Sequence, residues 1–68
     1  MYDYSKLKGK IVEVYGNQYA FAEAMGMVRG SLSNKLRGKT DFNQKQIMKA
    51  IDLLGLDNPI PYFFTEKV

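Results

Sequence analysis

Four glycines divide this chain. Gly16, Gly26, Gly38 and Gly55 each stand where an amphipathic stretch stops, so the 68 residues must fold as a set of short helices. Leu7, Ile11, Val14 and Tyr15 follow the i, i+4, i+7, i+8 spacing of a helix over about 4–15, ended by Gly16. Asn17 is a good N-cap for a second helix, in which Phe21, Ala22 and Met25 share one face up to Gly26. Val28, Leu32 and Leu36 keep a four-residue period through a third helix over about 28–37, closed by Gly38. Asn43 with Gln46 three residues later resembles a capping box. It would open a fourth helix over about 44–54, with Ile47, Ala50, Ile51 and Leu54 inward and Gly55 at its end. Asn58-Pro59 can start a short fifth helix, whose Ile60, Phe63 and Phe64 are expected to close the core. IVEVY at 11–15 is β-branched, but the helical period reaches back to Leu7. The tail TEKV at 65–68 reads equally as an edge strand or a frayed end. The expectation is one all-α domain of five short helices over residues 1–68.

A chain of this length buries a smaller share of its surface than a larger domain, so stability is modest or helped by association. With no cysteine and no histidine, disulfides, thiolate metal sites, the usual zinc ligands and the commonest general base are all excluded. No segment has the alternating-oxygen spacing of a calcium loop. The carboxylates (Asp3, Glu13, Glu23, Asp41, Asp52, Asp57, Glu66) are scattered, and no nucleophile–base pair is visible. An enzyme is therefore not expected, and neither a metal nor a cofactor is implied. No apolar run approaches a membrane span, and MYDYSKLKGK lacks the core of a signal peptide, so a cytoplasmic protein is expected.

Ten basic against seven acidic residues give a net charge of +3, which says little by itself. Its placement says more. From Arg29 to Lys45 lie Arg29, Lys35, Arg37, Lys39 and Lys45 with one acid, Asp41. Lys6, Lys8 and Lys10 form a second cluster, read as a solvated surface. A positive end of this kind is the footprint of a nucleic-acid binder, although charge alone leaves a solvated lysine face as the simpler reading.

The second and third helices, joined by a short glycine turn, make a helix-turn-helix outline. Ala22 is small where the helices cross, Gly26 supplies the sharp turn, and Phe21, Met25 and Leu32 lock the angle. The stretch NQYAFAEAMGMVRGSLSNKLRGK resembles the helix-turn-helix of the lambda-repressor and Cro superfamily. Gln18, Ala22, Gly26 and Leu32 match the glutamine, small residue, turn glycine and buried aliphatic of that motif. Arg37-Gly38-Lys39 matches the segment after the recognition helix, and the resemblance extends over about 16–64 through PYFF. Lys35 departs from it, standing where the superfamily usually has a buried aliphatic; its stem can pack while the ammonium reaches out.

The resemblance implies a Cro-like, sequence-specific regulator binding double-stranded operator DNA, from a phage or prophage of Gram-positive bacteria. Arg29, Gly30, Ser31 and Asn34 would then face base edges in the major groove. Arginine can grip guanine, and asparagine adenine, through two hydrogen bonds. Gln18, Ser33, Lys35, Arg37, Lys39 and Thr40 would hold phosphates. Gly30, which weakens its helix, would allow a closer approach to the duplex; a tolerated surface glycine is the plain alternative. One recognition helix reads few base pairs, so a homodimer on half-sites about 34 Å apart is expected. Ile60, Tyr62 and Phe64 are its candidate interface. The remaining tyrosines, Tyr2, Tyr4, Tyr15 and Tyr19, read as core or dimer surface, and Met25 and Met27 as core and turn filler. A second function fits the same outline: a protein–protein modulator, or antirepressor, acting on the phage's lysogenic repressor.

Overall fold

The computed structural model describes residues 2–66. Five helices run in order: α1 (Ser5–Tyr15), α2 (Gln18–Met25), α3 (Arg29–Leu36), α4 (Gln44–Leu54) and α5 (Ile60–Phe63). The all-α expectation holds. Leu7 and Ile11 of α1, Phe21 of α2 and Leu32 of α3 are wholly inaccessible and form the centre of one core. Around them α2 packs on α1, α3 and α4, while α5 packs on α1.

Local chemistry sets the helix ends. The Asn17 side chain accepts a hydrogen bond from Ala20 N at 2.8 Å, which satisfies one of the free donors of α2. Gly26 ends that helix in the left-handed region with φ 73°, where any side chain would be strained. The N–H groups of Met27 and Gly26 then fold back to the carbonyls of Ala22 and Glu23 at 2.9 and 3.0 Å. Gly38, at φ 81°, closes α3 with the same paired pattern, through Lys39 N to Asn34 O and Gly38 N to Lys35 O. At α4 the capping box is complete: Asn43 Oδ1 accepts from Gln46 N at 2.8 Å, and Asn43 N donates to Gln46 Oε1 at 3.0 Å. Asn43→Ala is expected to cost about 1 kcal/mol in a urea-unfolding measurement.

Four expectations change. Val28 does not continue the inward period of α3. It is the N-cap, with extended backbone and 72 % exposure, because a residue outside the helical dihedrals no longer follows the helical face. The helix itself is correspondingly shorter than 28–37, with Arg37 as its C-cap. On α5, only Phe63 closes the core; Ile60 and Phe64 point outward at 60 % and 45 % exposure, since a four-residue helix has one buried position. Pro59 is the N-cap of α5 rather than its first residue.

Two core contributors have no periodic signal. Leu56 is buried beyond the end of α4, and Phe42 packs against the core from the loop after α3. Phe42 lies edge-on between Tyr4 and Phe63, with ring centroids 5.4 and 5.3 Å away. Burial, aided by the Asp41 carboxylate, raises the Tyr4 pKa above the ordinary tyrosine value and keeps its phenol neutral. The chain ends meet: Asp3 N donates to Thr65 O at 2.7 Å, and Tyr2 and Glu66 form an isolated antiparallel bridge. That resolves the tail as far as Glu66; Lys67 and Val68 lie outside the described residues.

Candidate functional site

The turn from α2 into α3 creates the candidate face. Gly26 reverses the chain, and a long reach from α4 supports it: Lys49 Nζ lies 3.5 Å from Met25 O at the end of α2. Ala22, 2 % exposed, is the small residue between the helices. Arg29, Gly30 and Ser31 are exposed along α3, and Asn34 is half-buried one turn later. Arg37, Lys39 and Thr40 are exposed beyond it, while Gln18, Ser33 and Lys35 are half-buried.

Several of these side chains are already engaged within the chain. The Arg29 guanidinium lies over the Tyr19 ring at 4.9 Å, a cation–π contact that at an exposed site is worth about 0.5–1 kcal/mol. Asn34 Oδ1 accepts from Arg37 Nη2 at 2.9 Å, so a bidentate grip on adenine would require that bond to open. Lys35 is half-buried, and its ammonium turns to the loop, donating to Asp41 O at 2.7 Å beside the Phe42 ring. Lys35 thus ties the segment carrying Lys39 and Thr40 to α3. Lys8 comes from α1 to line, with Tyr2, Ser5, Leu36 and Arg37, a groove of about 250 Å³ at the far end of α3. From the sequence alone that lysine reads as solvated, because nothing in spacing links α1 to the end of α3.

Gly30 has open space around the position of a Cβ, and its φ is not positive. Nothing inside the chain requires a glycine there. Gly30→Ala is accordingly expected to stabilise the fold by about 0.5–1 kcal/mol, read as a higher urea midpoint.

The sequence reading also missed an apolar groove beside the base-reading positions. Tyr19, Ala22, Glu23, Met27, Val28 and Arg29 line a depression of about 340 Å³ between α2 and the start of α3. Tyr19 is 54 % exposed and Val28 is more exposed still. Its one legible signal is a valine at an N-cap, where α2 and α4 carry asparagine. A second exposed apolar cluster contains Ile60 and Phe64, with Tyr2 edge-on to Phe64 at 5.7 Å; Tyr62 is half-buried, with the Lys6 ammonium 5.3 Å over its ring. Among the described residues no group of three or more acidic side chains could hold a metal, and no helix is long and apolar enough to cross a membrane.

Comparison with known proteins adds a family and a structural likeness. The family described as "Protein of unknown function (DUF739)" matches residues 1–66. The solution structure of the modulator of repression of the temperate bacteriophage TP901-1 from Lactococcus lactis is 45 % identical. The match covers 93 % of this chain and 86 % of that one, with a TM-score of 0.77. No curated protein matches. The matching family is thus not described as the lambda-repressor and Cro superfamily, whose resemblance rests on the motif residues alone; the phage connection recurs in the similar structure.

Proposed function

We propose, from the premise that this chain belongs to the DUF739 family, that it modulates the repression switch of a temperate phage by binding the lysogenic repressor. The observation that carries this reading is the 45 % identity to a modulator of repression over 93 % of the chain. The exposed Tyr19 and Val28 on the α2–α3 face suit a protein partner, since large apolar side chains gain most when water is excluded from both sides.

A second reading keeps the chain on DNA. The exposed Arg29, Arg37 and Lys39 around α3 favour it. In it Arg29, Gly30, Ser31 and Asn34 contact bases, and Gln18, Ser33, Lys35, Arg37, Lys39 and Thr40 contact phosphates, in a homodimer formed through Ile60, Tyr62 and Phe64.

Gel-shift and calorimetric titrations with the phage's operator fragment and its purified repressor separate the two. The modulator reading expects this chain to bind the repressor and to change the repressor's hold on the operator, with no sequence-selective shift of its own. A selective shift by this chain alone, with repressor binding unaffected, overturns it. In that case Arg29→Ala is expected to erase operator preference and leave weak, salt-sensitive binding to random duplex.

A further inference from the structure

We infer that the groove between α2 and α3 is where the repressor docks, and that it takes an apolar repressor side chain set between an acidic and a basic one. This rests on the modulator reading above. The groove floor is apolar, from Ala22 and Met27, and its two sides carry the exposed Tyr19 and Val28. Opposite charges line the same depression: Arg29, stacked on Tyr19, and Glu23. A protein helix can meet both charges, presenting a carboxylate to Arg29 and an ammonium or guanidinium to Glu23. A duplex presents phosphates only, and Glu23 would face them as a like charge.

Val28 strengthens the assignment. Its side chain cannot cap α3, and α3 has no acidic residue in its first turn to offset that. Its backbone carbonyl accepts the first hydrogen bonds of α3, but the side chain serves neither the helix nor the core. An exposed valine at the mouth of an apolar groove gains its burial only when a partner covers it. Arg29 is common to this groove and to the base-reading positions, so a bound repressor and a bound duplex exclude each other on this face.

The test uses the whole chain, the purified repressor and a random-sequence duplex, with wild type, Val28→Ser, Glu23→Lys and, as the control on the exposed side of α4, Met48→Ser. Serine can cap α3, so Val28→Ser is expected to raise the melting temperature while weakening repressor binding on the order of tenfold. Glu23→Lys is expected to weaken repressor binding and to strengthen binding to the duplex; Met48→Ser is expected to leave repressor affinity unchanged. Wild-type affinity for the repressor in both Val28→Ser and Glu23→Lys overturns the docking site while the modulator reading stands. Loss confined to Met48→Ser moves the interface to α4 and overturns it equally. No repressor binding by the wild type removes the modulator reading itself, and the docking site with it.

Discussion

Phe21→Ala is expected to remove more than half of the chain's folding stability at room temperature. The Phe21 side chain is wholly inaccessible, on the one helix that packs against α1, α3 and α4 together. Its ring also meets Tyr15 of α1, with centroids 5.3 Å apart. Truncating a buried phenylalanine removes its transfer free energy and leaves a cavity, together about 3–5 kcal/mol. A domain of this size has roughly 3–10 kcal/mol of total stability. The loss consumes most of that margin, and no disulfide can offset it, because the sequence has no cysteine. Circular dichroism in a urea titration reads the outcome. A midpoint near that of the wild type would mean that the cavity collapses and that α2 is not the hub of the core.

Ala22→Leu is expected to act on stability and recognition at once. Ala22 is buried, lines the α2–α3 groove, and its carbonyl receives the N–H of Met27 in the turn. Three extra carbons there cannot be absorbed without moving α2 and α3 apart, at about 1–3 kcal/mol. The displaced helices would also change the separation of Tyr19 from Val28 and of Glu23 from Arg29. Ala22→Leu is therefore expected to lower the urea midpoint and to weaken repressor binding beyond what the unfolded fraction explains. Ala24, half-buried on the same helix, supplies the comparison: Ala24→Leu should change both measurements less. Equal effects at the two positions would show that the close approach at Ala22 is not what sets the face.

The helix ends were legible because their causes are local. Asn17 and the Asn43–Gln46 pair cap through atoms three residues away, and Gly26 and Gly38 reverse the backbone where a Cβ would be strained. The central core was legible for a similar reason: Leu7, Ile11, Phe21, Leu32 and Leu36 repeat at helical spacing, and that spacing alone places them on one side. Periodicity loses its meaning outside the helices, however. Val28 as an N-cap and Phe64 as a C-cap follow no helical face, so both left the core for which their chemistry suited them. Phe42 and Leu56 entered it from loops, where no period could announce them.

The candidate face divides along the same line. By itself the sequence determined that an α-helical domain carries a basic third helix after a glycine turn, because charge and helix-end chemistry are properties of residues and their near neighbours. Only the tertiary structure decided how that helix is presented. Lys35 is tied to the loop carbonyl of Asp41, Arg29 lies over Tyr19, and Lys8 has come beside Arg37. Tyr19 and Val28 flank one groove because α2 and α3 cross at the turn that Gly26 permits. Such contacts depend on the angle between packed helices, which the whole core sets and no short stretch of sequence records.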